Sequence, residues 1–166
     1  MKKFLIALAV IIIANFGCKK EDIGGGGLCA CSVVPNPHLN LVIKSATGID
    51  LLNPETTGYF SASQIQFYYL GQNGNSVPVK FFVRQPFSYG NNKFLYYQIF
   101  SEEIATLAKN KTQSFYLKLG TQAPHELNLE INYTTRRVEK LSINKVDSPV
   151  DNALLNYVDI FYLTTP

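Results

Sequence analysis

Between residues 126 and 133 apolar and polar side chains alternate without a break: Leu127, Leu129, Ile131 and Tyr133 against Glu126, Asn128, Glu130 and Asn132. Successive strand residues point to opposite faces, so this segment has one buried and one wet face, the signature of an antiparallel sheet. Shorter runs of the same period fill most of the chain after residue 38. Leu39, Leu41 and Ile43 mark a first strand. Residues 65–70, Ile-Gln-Phe-Tyr-Tyr-Leu, form a second with apolar groups on both faces, and the Gly- and Asn-rich residues 71–75 close a hairpin onto 77–84. There Val77, Val79, Phe81 and Val83 share a face, while Pro78, which cannot donate to a ladder, argues for an edge or a strand start.

Residues 89–92 turn into a strand over 94–100 with Leu95, Tyr97 and Ile99 on one side. Ser101, Glu102 and Glu103 read as a helix start, and Ile104, Leu107 and Ala108 at helical spacing predict two or three turns ending near Asn110. Phe115, Leu117 and Leu119 point inward from the next strand; residues 120–124 turn into the run described first. A turn at 134–137 leads to a strand over 138–146, and 157–163 closes the domain. About eight strands and one short helix predict an all-β fold: an antiparallel β-sandwich, Greek-key in the immunoglobulin manner, with a partly open barrel as the alternative.

The start of the chain is of another kind. Lys2 and Lys3 precede an unbroken run of 11 apolar residues, 4–14. A membrane-spanning helix needs about 20, so this run suits the apolar core of a signal peptide. It ends in Asn15-Phe16-Gly17-Cys18. The stretch resembles a bacterial lipobox, with Gly17 before a lipid-modified Cys18, although Asn15 and Phe16 depart from the commonest form. Relaxed lipoboxes of this kind occur among Bacteroidota lipoproteins, and the strand layout with its phrase at 48–54 is similar to small lipoproteins of that group. The resemblance implies a signal peptide over 1–17 and a diacylglyceryl group with a further acyl chain on Cys18. Several acyl chains together make attachment to a membrane firm.

Lys19-Lys20-Glu21-Asp22 resembles the charged export signals that send such lipoproteins to the outer face of the outer membrane, with a solvated spacer as the plain alternative. Gly24–Gly27 then make a flexible tether. Three segments are therefore expected: a signal peptide at 1–17, a lipidated, glycine-rich tether at 18–38, and a β-sandwich at 39–166. The expected location is the outer membrane, lipid-anchored and cell-surface exposed, or its periplasmic face.

Chemistry is thinly represented. Cys29 and Cys31 sit two apart in a chain bound for an oxidising compartment; a strained disulfide, packed free thiols and a soft-metal or redox pair all remain open. No paired ligand spacing for a structural zinc exists, so no metal or other cofactor is expected beyond the lipid. The only histidines, His38 and His125, read as solvated loop residues. No nucleophile elbow accompanies them, and Glu126 and Glu130 would lie roughly 13 Å apart along a strand, too far for paired carboxylate chemistry. No enzymatic activity is expected. The net charge of +3 loses Lys2 and Lys3 with the signal, which leaves no basic surface for nucleic acid.

The remaining feature is tyrosine. The chain has 10 Tyr, 11 Phe and no Trp. Tyr68, Tyr96 and Tyr116 fall at outward-facing positions, where aromatic rings can form a recognition surface. Two functions follow as expectations: a tethered, adhesion-like binding module for a glycan or partner protein, or a structural accessory of an outer-membrane protein assembly.

Overall fold

A computed structural model describes residues 36–109, 113–155 and 158–166, leaving aside the side chains of Tyr89 and of residues 152–155. The segments assigned above to signal peptide, Cys18, glycine tether, Cys29 and Cys31 lie outside the described residues, as does Asn110.

Thirteen strands among the described residues form two main sheets and a small hairpin. The five-stranded sheet has the order β12 (Val150–Leu155), β13 (Val158–Thr165), β1 (Leu39–Ser45), β7 (Gln98–Ser101) and β4 (Phe82–Arg84). The six-stranded sheet runs β11 (Val146–Asp147), β10 (Arg137–Ile143), β9 (His125–Asn132), β8 (Phe115–Leu119), β2 (Ile65–Leu70) and β3 (Ser76–Pro78). A hairpin of β5 (Phe87–Tyr89) and β6 (Asn92–Phe94) completes the set. The chain changes sheet between β1 and β2, β3 and β4, β7 and β8, and β11 and β12, the crossings a Greek-key sandwich requires. The fold is thus an all-β, antiparallel sandwich with one short helix. One pairing departs from that rule: β1 runs parallel to β13, with Leu41 opposite Phe161, because the first and last strands lie side by side without a hairpin between them.

One apolar cluster fills the space between the two main sheets. Leu39, Leu41, Ile43, Ile99, Phe161 and Leu163 come from one sheet, and Phe67, Phe115, Leu117, Leu119, Leu127 and Leu141 from the other. Each fully buried Leu, Ile or Phe contributes about 1.5–3 kcal/mol relative to an exposed position. Two side chains link the sheets. Arg137 of β10 donates from Nε to Asp159 Oδ2 of β13 at 2.8 Å, and its Nη2 pairs with the other carboxylate oxygen. The Asp159 side chain is only 9% exposed, so the ion pair is largely withdrawn from water.

Several expected strands divide. The run 77–84 serves both sheets: β3 ends at Pro78 as an edge strand, residues 79–81 cross over, and β4 continues in the opposite sheet. The alternation nevertheless marks the core side for three of the four residues expected to share it: Val79, Phe81 and Val83 pack into the core, while Val77, on edge strand β3, is half-buried outside that cluster. The expected strand over 94–100 is broken between β6 and β7, and Leu95, expected inward, is 71% exposed. Asp50 Oδ2 accepts the Tyr97 backbone N–H at 2.8 Å, drawing that amide out of any strand ladder. Residues 138–146 form a hairpin instead of one strand, because Asn144 and Lys145 take left-handed φ values of 52° and 66°. β12 was not foreseen.

The helix α1 (Glu103–Leu107) is shorter than the two or three turns expected. Its start follows the sequence logic in part: the Ser101 hydroxyl accepts the Ile104 N–H at 3.3 Å.

Candidate binding face

The outer surfaces of the two sheets differ in kind. On the five-stranded sheet the outward residues Val42, Ile160 and Tyr162 lie beneath Phe87, Phe94 and Tyr96, forming a second, smaller apolar cluster. On the six-stranded sheet the outward residues Gln66, Leu70, Glu130 and Asp147 are exposed.

Strand register brings two of the three expected tyrosines together on that open face. Tyr68 and Tyr116 are directly opposed on β2 and β8, and their rings stack with centroids 5.5 Å apart and planes 22° from parallel. Pro78 flanks the pair on β3 and Glu126 on β9, so a single row crosses four strands. Both tyrosines are half-buried, and a cross-strand aromatic pair of this kind contributes about 0.2–1 kcal/mol. The third tyrosine goes elsewhere. Tyr96 lies on the irregular link between β6 and β7, packed into the cluster outside the five-stranded sheet, with the Lys44 ammonium 3.7 Å from its ring centre. The expectation that placed Tyr96 outward rested on Leu95 pointing inward, and Leu95 does not.

Beside the tyrosine pair lies a polar array that residue spacing alone did not show. Ser114 Oγ stands 3.0 Å from Glu126 Oε1 and 2.9 Å from Asn128 Oδ1, and Asn128 Nδ2 donates to the same Glu126 oxygen at 3.3 Å. The Asn128 amide and then the Ser114 hydroxyl hold the Glu126 carboxyl below its usual range. Glu126 is therefore an anion at neutral pH, held by Asn128 on its own strand and by Ser114 just before β8. The only sequence signal for this array was the shared parity of Glu126 and Asn128; Ser114 joins them through the β8–β9 register.

Neither histidine is the solvated loop residue expected. His38 packs its ring against Phe100 with centroids 4.9 Å apart, and its Nδ1 lies 3.1 Å from the Asn36 carbonyl oxygen. Burial lowers its pKa from the ordinary 6.5. His125 is the first residue of β9; Asn144 Nδ2 contacts its Nδ1 at 3.1 Å, and burial lowers its pKa too. His38 immediately precedes β1 of the five-stranded sheet and His125 opens β9 of the six-stranded one, so the two are not brought together. Among the described residues, no group of three His, Cys, Asp or Glu side chains is placed to hold a metal ion.

A second surface lies at the β4 edge. Arg84 stacks its guanidinium 3.9 Å from the centre of Phe100, and the neighbouring Phe82 is 53% exposed. These residues open onto a cleft of about 520 Å³ with Glu102 and Glu103 on its wall. Glu103 accepts the Lys80 backbone N–H and Ser101 donates to the Lys80 carbonyl at 2.7 Å, so much of the polar chemistry there is spent on the chain's own crossover.

No family model matches the chain, and no curated protein or solved structure matches it.

Proposed function

We propose that this protein is a non-enzymatic binding module, tethered to the outer membrane through lipid on Cys18, whose ligand surface is the open face of the six-stranded sheet. The observation that carries this reading is the stacked Tyr68–Tyr116 pair beside the Ser114–Glu126–Asn128 array. The ligand class that suits it is a glycan. Aromatic rings offer an apolar contact for sugar C–H groups, and a carboxylate, an amide and a hydroxyl offer directional partners for sugar hydroxyls. All five residues belong to strands or to the residue beside one, so the surface needs little ordering on binding.

The alternative, an envelope accessory that docks through a sheet edge, has less support. The edges β3, β4 and β11 are 3, 3 and 2 residues long, and β3 carries Pro78. Short, proline-bearing edges offer little template for an added strand. β12, with 6 residues, is the longer edge, and its pairing with β13 shifts register.

The test is affinity chromatography or calorimetry on a panel of soluble oligosaccharides and envelope polysaccharide fragments, comparing the wild type with Tyr68→Ala/Tyr116→Ala and with Asn128→Ala. The reading predicts a ligand whose binding weakens at least tenfold in the tyrosine double variant and measurably in Asn128→Ala. Equal binding by all three proteins, or no glycan retained by any, would reject it. Cys18→Ala separately tests the anchor: the protein should leave the membrane fraction.

A further inference from the structure

Behind the β5–β6 hairpin, on the outer side of the five-stranded sheet, lies a pocket of about 170 Å³. Apolar cavities of roughly 150 Å³ admit a benzene ring, so one ring fits. Its walls include Val42, Phe94 and Ile160, each at most 3% exposed, together with Tyr96 and Tyr162.

Gln98 also lines this pocket, and it breaks the apolar pattern. It is 1% exposed, and its Oε1 is buried without a hydrogen-bond partner. It stands opposite Arg84 in the β4–β7 ladder. An unsatisfied buried carbonyl costs about as much as a tenfold change in an equilibrium constant. A carboxamide kept under that cost, at the wall of a ring-sized apolar pocket, is a recognition group that lacks its complement.

The charges around the pocket point to a neutral ligand. Lys44 already places its ammonium 3.7 Å from the centre of Tyr96 and 4.5 Å from that of Tyr162, filling the cation position. Lys93 and Asp151 both reach the pocket and oppose one another in sign. Burial, reinforced by Asp151 and Tyr96, raises the Tyr162 pKa and keeps its hydroxyl protonated.

We propose that this pocket binds a small neutral ring bearing a hydroxyl, of the phenol class, with Gln98 as the group that selects the hydroxyl. A hydroxyl both donates and accepts, so it can serve either end of the Gln98 amide. The ring stacks among Phe94, Tyr96 and Tyr162. This site is separate from the tyrosine face and stands or falls without it.

The test titrates phenol and benzene into the full chain, following the Gln98 side-chain amide and the Ile160 methyl groups by NMR. Expected are saturable shifts at both, with phenol bound about tenfold more tightly than benzene. Gln98→Leu should fold at least as stably and erase the preference for phenol. Ile160→Phe, or the gentler Val42→Leu should the first fail to fold, fills the pocket and should abolish binding of both rings. Equal affinity for the two rings in the wild type, a preference that survives Gln98→Leu, or shifts that never saturate would each overturn the proposal. A Gln98 amide signal unmoved by phenol would do the same, assigning the amide to bound water instead.

Discussion

The outer faces of the two sheets carry opposite answers to the same problem. The five-stranded sheet has a lid: Phe87 and Phe94 stack with centroids 4.3 Å apart and, with Tyr96, shield Val42 and Ile160. With the main core burying Leu39, Leu41 and Ile43 on the other side, every residue from Leu39 to Ile43 is buried, including Asn40, whose amide donates to the Asp159 carbonyl. Among the described residues the six-stranded sheet has no such cover, and its outward positions hold Tyr68, Tyr116, Glu126, Asn128 and Lys140. The covered face is given mainly to packing, with one ring-sized pocket left behind the hairpin. An open face made of fixed polar groups around an aromatic pair is available to a ligand.

Substitutions can sharpen or break this contrast. Phe94→Ala removes the most buried ring of the lid and should cost about 3 kcal/mol in chemical denaturation. A loss below about 1 kcal/mol would mean that the hairpin does not cover the sheet. Arg137→Ala belongs to neither face and tests what ties them: it leaves Asp159 buried without its partner and should cost about 2 kcal/mol, less than a fully buried pair because the Arg137 side chain is 28% exposed. Tyr116→Ala on the open face should cost under about 1 kcal/mol, since only a half-buried cross-strand pair is lost. A cost as large as that of Phe94→Ala would mark Tyr116 as a packing residue and undo the contrast.

The smallest expected effect is with pH. Burial depresses the folded-state pKa of His38, and of His125, below 6.5. The unfolded chain then binds more protons than the folded one as pH falls through 6.5, so stability is full above that pH and declines below it. Replacing His38 by Phe should keep the contact with Phe100 and flatten part of that decline in melting temperature between about pH 7 and pH 5. An unchanged profile in His38→Phe would mean that His38 contributes nothing to it.

The contrast between the faces also explains what could be read from the sequence. Alternation reports a strand with one dry and one wet face, so β8 emerged with its inward residues correct: Phe115, Leu117 and Leu119 are fully buried. On β9 the pattern fades along the strand: Leu127 is fully buried, Leu129 and Ile131 pack only partly against the core, and Tyr133, expected inward, lies beyond the strand and is 43% exposed. It cannot report a lid, because a strand buried on both sides simply loses its polar half. Nor does a period of two register a change of sheet, which is why 77–84 read as one strand although three of its four expected inward residues, Val79, Phe81 and Val83, do reach the core. Of the candidate site, Tyr68 and Tyr116 were legible from parity alone. Their stacking, and the entry of Ser114 into the Glu126–Asn128 array, depend on how β2, β8 and β9 align, and alignment between strands has no local signature.

The most direct test is to map a bound oligosaccharide by NMR chemical shifts on the isotopically labelled protein. Shifts centred on Tyr68, Tyr116, Glu126 and Asn128, fading toward β11, are the expected result. Shifts confined to the β5–β6 hairpin, or to the β4 and β12 edges, would contradict the assignment of the open face as the ligand surface.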